Sequence, residues 1–153
     1  MILGARHVGF VVEDIVLSAR FYEALGFVAE GPVATESGLS ASTLVGIDGV
    51  TIRTLKLSLR RSEESIWRES GFRLELIEYV KPLSQSLNTK SNNVIGKGHM
   101  CLTVGNLMEA INLVVSLGGS SPFHPVRGAS GEPLISYVLD PDGIPIELSE
   151  LAR

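Results

Sequence analysis

The chain has 153 residues, the length of one ordinary domain, which is enough to bury a hydrophobic core without disulfide bonds. With 44% hydrophobic and 20% charged residues, its composition is that of a soluble globular protein. The formal net charge of -4 argues against a nucleic-acid binder, because such proteins normally carry a basic stripe.

Several features of the sequence predict a cytoplasmic protein. The N-terminal residues enter a strand pattern at once, which is not the pattern of a secretory signal. No apolar run approaches the ~20 residues that span a bilayer. Cys101 is the single cysteine, so an intrachain disulfide is excluded and a reducing compartment fits. We therefore expect neither a membrane nor nucleic acid among its partners.

The first half of the chain predicts a strand, a helix and three more strands. The first strand starts at His7, and Asp14 is placed to cap the N-terminus of an amphipathic helix. Leu25-Gly26 ends this helix with the residue best suited to a left-handed conformation. The three strands predicted to follow are Val28–Val33, Ile52–Leu59 and Arg73–Tyr79.

The second half repeats this pattern. A shift of 92 residues, from 7 to 99, places His99 on His7, Asn106 on Asp14 and Gly118 on Gly26. Both halves end in a strand with the tripeptide Leu/Ile-Glu-Leu. The strands predicted after the second helix are Ser121–Pro125, Leu134–Leu139 and Pro145–Ser149.

The repeat predicts an α+β fold made of two βαβββ modules in tandem, within a single domain spanning 1–153. The modules cover 5–81 and 97–150, and the polar residues 82–98 are predicted to link them. About twenty extra residues in the first half are assigned to 36–49 and to a charged hairpin at 60–71.

Four polar residues lie at matching positions of the repeat. Because side chains alternate across a strand, His7, Glu75, His99 and Glu147 are all predicted on the face opposite the apolar residues of their strands. If the halves pair about a pseudo-twofold axis, two imidazoles and two carboxylates converge. Such a set suits one divalent ion of Zn, Ni, Co, Mn or Fe.

These motifs resemble the vicinal oxygen chelate superfamily, which contains glyoxalases, bleomycin-resistance proteins and dioxygenases. The resemblance extends over nearly the whole chain, and it is nearest to glyoxalase I and methylmalonyl-CoA epimerase-like members. The motifs that carry it are HVGFVV, FYEALGF, LELIEY, GHMCLTV and DPDGIPIEL. The resemblance implies a curved mixed sheet around an open metal cleft, with His7, Glu75, His99 and Glu147 as ligands. It also implies a homodimer.

The resemblance implies an enzyme of the lyase, isomerase or epimerase type. Its small substrate would carry vicinal oxygens, and the metal would stabilise an enolate while a carboxylate moves the proton. Glu147 is the first choice for that base and Glu75 the second. Two alternatives stay open: an Fe(II) extradiol-type dioxygenase, in which Glu75 is not a ligand, and a metal-free protein that binds a small molecule such as a drug.

Three further residues are weaker candidates for substrate contacts. Arg127, in a glycine-containing loop, can meet a carboxylate or phosphate. Lys56 alternates with Leu55 and Leu57, which directs it toward the same face as the candidate ligands. Cys101 shares the face of His99, and we expect it to line the site rather than to act as a nucleophile.

Overall fold

The computed structural model describes residues 4–59, 71–85 and 92–151. The chain divides into two compact units, Met1–Ser86 and Leu87–Arg153. Each unit contains one of the predicted modules. The hairpin assigned to 60–71 lies almost entirely outside the described residues, as does part of the linker at 82–98.

The first unit is an α+β layer built on a five-stranded sheet. Its path follows the order β1-β5-β4-β2, and β3 also pairs with β4. Strands β1 and β5 are parallel, whereas β4 runs antiparallel to β2, β3 and β5. The elements are β1 (Val8–Val12), α1 (Ile15–Ala24), β2 (Phe27–Ala29), β3 (Ala34–Ser37), α2 (Gly38–Val45), β4 (Thr51–Leu59) and β5 (Arg73–Lys81).

Helix α1 begins and ends as the sequence predicts. The Asp14 carboxylate accepts hydrogen bonds from the backbone N–H groups of Val16 and Leu17, at 2.8 and 3.1 Å. Gly26 follows the helix with φ of 99°. The helix covers one face of the sheet, where the core residues of the first unit are buried: Val12, Ile15, Phe21, Tyr22, Phe27, Leu55, Leu57, Leu74 and Leu76.

Two details of the first module differ from the prediction. The strand predicted over Val28–Val33 ends at Ala29, because Gly31-Pro32 interrupts it and proline lacks the N–H that a strand donates. The insertion at 36–49 is not a plain loop, since it contains the end of β3 and helix α2. This helix packs Ala41 against Val50 and Ile52.

The second unit repeats the plan with a four-stranded sheet in the order β6-β9-β8-β7. Strands β6 and β9 are parallel, and β8 runs antiparallel to β7 and β9. Asn106 caps α3 by accepting from the N–H of Glu109 at 3.0 Å. The elements are β6 (Met100–Val104), α3 (Leu107–Ser116), β7 (Val126–Arg127), β8 (Pro133–Leu139) and β9 (Pro145–Glu150).

The strand predicted at Ser121–Pro125 is wrong. Pairing with Leu139 occurs instead as an isolated bridge at Ser120, and the short strand β7 begins only at Val126. Pro122 and Pro125 explain the gap, because neither can donate a backbone hydrogen bond to a neighbouring strand.

A glutamate on the last strand of each module accepts a hydrogen bond from the first residue of α1 or α3. Glu78 accepts from the backbone N–H of Ile15 at 3.2 Å, and Glu150 accepts from that of Leu107 at 2.7 Å. Both N–H groups belong to the first residue of a helix, where no partner exists within the helix itself. The side chains of Asp14 and Asn106 accept from N–H groups farther along the same first turns, so a strand residue and a capping residue both stabilise each of these helix starts.

The predicted α+β fold of two tandem modules is confirmed, with its strands grouped in two sheets. Among the helices of the described residues, none is both long and apolar enough to cross a membrane.

Candidate functional site

His7 and Glu75 form a close pair in the first unit. His7 lies directly before β1 and Glu75 lies in β5, the strand that runs parallel to β1 and pairs Leu74 with Val8. The His7 Nε2 atom is 3.0 Å from the Glu75 Oε2 atom. Leu74 and Leu76 are fully buried on the other face of β5, which confirms the predicted orientation of Glu75.

Lys56 lies next to this pair. It is directly opposite Glu75 in the antiparallel register of β4 and β5, and its Nζ atom is 3.9 Å from Glu75 Oε1. The prediction that Lys56 shares the face of the candidate ligands is therefore confirmed. Gly9 is the register partner of Glu75 in β1 and has no side chain, and the nearest side chain to it is that of Ile77.

His99 and Glu147 form the equivalent pair in the second unit. The His99 Nε2 atom is 3.3 Å from Glu147 Oε2. Tyr137 joins them, since it is opposite Glu147 in the register of β8 and β9 and its hydroxyl is 3.2 Å from His99 Nε2. The rings of His99 and Tyr137 meet edge to face, with centroids 5.1 Å apart.

Hydrogen bonds also tie Glu147 to both of its strand neighbours. A hydrogen bond from Tyr137 lowers the pKa of the Glu147 carboxyl, and a second one from Cys101 adds to the effect. The same contact with Glu147 raises the pKa of Tyr137 to about 12. The phenol is therefore a neutral donor and Glu147 a charged acceptor at neutral pH.

Cys101 lies beside Glu147 in the parallel register of β6 and β9, with its Sγ atom 3.4 Å from Glu147 Oε1. Burial raises the pKa of the Cys101 thiol, and the hydrogen bond to Glu147 and the negative charge of that carboxylate raise it further. Because the thiolate is the nucleophilic form, this setting favours the predicted lining role over a nucleophilic one.

Within the second unit, no recorded contact between described residues joins Arg127 to His99 or Glu147. Its guanidinium donates to the carbonyl oxygen of Gly131 at 2.7 Å, within the loop that connects β7 and β8. This contact holds the loop, and a substrate contact by Arg127 stays a prediction.

The pairs suit the ligands of a metal ion. Nitrogen and oxygen ligands about 2.0–2.2 Å from one ion, at angles near 90–110°, lie about 2.9–3.5 Å apart. The measured separations, 3.0 and 3.3 Å, fall in this interval. Within the described ranges, no group of three or more His, Cys, Asp or Glu side chains is arranged to hold a metal. The structure thus brings the four predicted ligands together as two pairs.

Residues of three types near the two pairs were not predicted from the sequence: one tyrosine, two glutamates and two arginines. Tyr137 was detectable, because buried Ser136 and Val138 on either side of it direct its ring to the site face. Glu78 and Glu150 were also detectable, since Glu-x-x-Glu occurs at the end of both modules. Arg6 and Arg73, which line a concavity with His7, were detectable too, because Arg6 directly precedes His7 and Arg73 precedes Glu75 by two residues.

Comparison with known proteins addresses the fold. No family model matches the sequence, and no curated protein matches it either. The structure is similar to that of a glyoxalase family protein from Bacillus cereus, with a TM-score of 0.80 and 20% sequence identity over 98% of this chain and 95% of that one. The chain has the glyoxalase fold.

Two further solved structures share this fold. The glyoxalase I of Leishmania major, described as trypanothione-dependent, gives a TM-score of 0.59 at 20% identity, covering 96% of this chain and 87% of its own. A glyoxalase family protein from Enterococcus faecalis gives 0.57 at 19% identity, covering 97% of this chain and 98% of its own. These similarities confirm the glyoxalase fold that the sequence resemblance implies.

Proposed function

We propose that this glyoxalase-fold chain is a metal-dependent enzyme of the lyase, isomerase or epimerase type. In this proposal His7, Glu75, His99 and Glu147 hold one divalent ion of Zn, Ni, Co, Mn or Fe. The substrate is a small molecule with vicinal oxygens. The supporting observation is the recurrence of one His–Glu pair at the same place in each module, with nitrogen and oxygen 3.0 and 3.3 Å apart.

Packing in the sheets restricts the positions of the atoms that would bind the metal. Glu75 and Glu147 project from strands whose neighbouring residues are fully buried, so the carboxylates have little freedom to move away. Tyr137 orients both His99 and Glu147. Fixed donors of this kind reduce the free-energy cost of assembling a metal site.

When bound, the ion would act as a Lewis acid toward a substrate oxygen on which charge develops. The chain must then supply a base that takes a proton from the neighbouring carbon and returns it. Return to the same carbon gives epimerisation, and return to the adjacent carbon gives isomerisation. A carboxylate with the freedom to accept a proton is needed.

The contacts favour Glu75 over Glu147 as that base, in the reverse of the order that the resemblance implies. Glu147 accepts hydrogen bonds from Tyr137 and Cys101, which stabilise its charged form and hold it in place. Glu75 has the His7 ring and the more distant ammonium group of Lys56, and its register partner Gly9 has no side chain that could bond to it. We therefore assign Glu147 mainly to metal binding and Glu75 to proton transfer.

Metal content of untagged protein, measured by mass spectrometry after supplementation with Zn, Ni, Co, Mn or Fe(II), tests the metal site. We expect about one equivalent per chain, with affinity reduced by about 10-fold or more in Glu75→Gln and in Glu147→Gln. Glu23→Gln is the matched control, because Glu23 is exposed on α1.

The other outcomes select the alternatives. Iron bound at full occupancy and unaffected by Glu75→Gln would support the extradiol-type dioxygenase. If no metal binds under any of these conditions, the result would support the metal-free protein that binds a small molecule, with two hydrogen-bonded His–Glu pairs. Two equivalents per chain would contradict the shared four-ligand site.

Solvent deuterium exchange into candidate ketones and thioesters tests the reaction class in metal-loaded protein. Loss of exchange in Glu75→Gln with retained metal supports the assignment of Glu75, whereas loss only in Glu147→Gln contradicts it. Sedimentation equilibrium tests the homodimer that the resemblance implies.

A further inference from the structure

The face of the first sheet that carries Glu75 changes character along the strands. Its apolar end is Ile52 with Tyr79, against which the Ala41 side of α2 packs. The next row contains Ile77 and the half-exposed Val11. Farther along come the charged residues, so that polarity increases steadily from α2 toward His7.

The charged end contains more cations than anions. Lys56 and Arg73 lie on the same face as Glu75, because Lys56 is its cross-strand neighbour and Arg73 precedes it by two residues. Both side chains are 57% exposed. Arg73 donates from Nε to Glu30 at 2.9 Å, which leaves its terminal nitrogens available for a ligand.

These side chains surround a concavity of about 210 Å³, lined by Arg6, His7, Glu30, Lys56 and Arg73. A second concavity of about 390 Å³ shares three of these residues, Arg6, Glu30 and Arg73. Among the described residues, the structure records no carboxylate paired with Arg6. At a liquid volume of about 30 Å³ per water, the first concavity has room for a carboxylate or phosphate group and its hydration.

The second module lacks this basic end. The position equivalent to Arg73, two residues before the ligand glutamate, is Pro145, which is buried. Its partner across the strands is Leu139, also buried, where the first module has Ser58. The repeat preserves the His–Glu pair in both modules and places cations in only one, so the basic concavity is a specific feature of the first module.

We propose that the basic concavity binds an anionic group of the substrate, a carboxylate or a phosphate, through Arg73, Arg6 and Lys56. The anion would lie beside His7, with the rest of the substrate directed along the face past Glu75 toward Val11 and Ile77. This assignment rests on the function proposed above, whose substrate class it narrows to small organic anions. Arginine suits the task because its planar group donates two parallel hydrogen bonds to such oxygens.

Titration of metal-free, isotope-labelled protein with inorganic phosphate, and separately with acetate, tests the proposal by NMR at constant ionic strength. We expect saturable shifts in the amide signals of Arg6, His7 and Arg73. Arg73→Gln should raise the dissociation constant about tenfold, as loss of a charged hydrogen bond predicts. Arg20→Gln, an exposed change on α1, is the control and should leave it unchanged.

Glu30→Gln provides an independent test, because it removes the carboxylate that competes for Arg73. It should lower the dissociation constant, and this result stands even if Arg73→Gln fails to fold. If only phosphate saturates the site, the anionic group of the substrate is assigned as a phosphate ester. If only acetate saturates it, the group is assigned as a carboxylate, and if both do, the site accepts either group. No saturable shift, or equal binding by wild type, Arg73→Gln and Glu30→Gln, overturns the proposal.

Metal content of the same samples separates the two proposals. Arg73→Gln should keep its metal, because Arg73 is not among the proposed ligands. Anion binding without any metal binding would refute the metal site and leave the basic concavity intact. Metal binding without anion binding would refute the anion site and leave the proposed metal site intact.

Discussion

Glu150 links strand β9 to helix α3, and its replacement by alanine should destabilise the second unit. Its Oε2 atom accepts from the backbone N–H of Leu107 at 2.7 Å. Leu107 is fully buried, and the Asn106 side chain caps the N–H of Glu109 rather than that of Leu107. In Glu150→Ala a buried donor therefore loses its recorded partner.

The expected cost follows from two contributions. An unsatisfied buried N–H costs ~1–3 kcal/mol. Loss of a negative charge at a helix N-terminus costs a further ~0.3–1 kcal/mol. We expect Glu150→Ala to lower the free energy of unfolding by about 2 kcal/mol, or the Tm by about 4–8 °C. Glu150→Gln keeps an acceptor oxygen and should lose only about 0.5 kcal/mol.

Urea denaturation followed by far-UV circular dichroism measures these differences. Glu78→Ala tests the equivalent bond of the first unit. This bond is longer, at 3.2 Å, and its loss also removes the partner of Arg53, 2.9 Å from Glu78. Glu23→Ala is the exposed control and should stay within about 0.5 kcal/mol of wild type.

Two results would refute this reasoning. If Glu150→Ala loses less than about 0.5 kcal/mol, the N–H of Leu107 does not depend on the carboxylate. If Glu150→Gln loses as much as Glu150→Ala, the charge rather than the acceptor atom carries the effect.

Three further predictions concern the second unit. In metal-free protein Tyr137 should ionise at about 12, and Glu147→Gln should return its pKa toward the ordinary value of 10.0, because a nearby carboxylate opposes formation of phenolate. Phenolate absorbance during a pH titration measures this, and an unchanged pKa in Glu147→Gln would contradict it. Cys101 should react slowly with iodoacetamide at neutral pH and faster in Glu147→Gln, since its pKa is raised partly by that carboxylate; equal rates would count against the contact. Gly119→Ala should lower the free energy of unfolding by ~1–3 kcal/mol, because the new Cβ would lie 2.5 Å from a backbone oxygen of β8. Gly105→Ala, where no atom lies within 4 Å, is the control, and an equal loss in both variants would show that crowding is not the cause.

The faces of the strands could be predicted from sequence because they follow from local alternation. Burial of Leu74 and Leu76 on one side of β5 directs Glu75 to the other, whatever the neighbouring strands are. The helix starts were equally local, since Asp14 and Asn106 cap the N–H groups that follow them within three residues.

Strand ends and inserted elements were harder to predict. Apolar residues around Val28 suggested a longer strand than the chain forms, because Gly31-Pro32 overrides their preference. The residues of α2 carry a weak amphipathic pattern, and their burial depends on Val50 and Ile52 of the sheet. A helix of eight residues is stable mainly through such packing, which no local pattern contains.

The sequence alone determined the repeat, the fold class and the orientation of His7, Glu75, His99 and Glu147. Only the tertiary structure decided what stands beside each pair. Lys56 lies opposite Glu75, whereas Tyr137 and Cys101 lie opposite Glu147, because strand register pairs residues that are 10 to 46 positions apart along the chain. Register depends on long-range pairing between strands, so two matching His–Glu pairs have different chemical surroundings that neither half of the sequence reveals by itself.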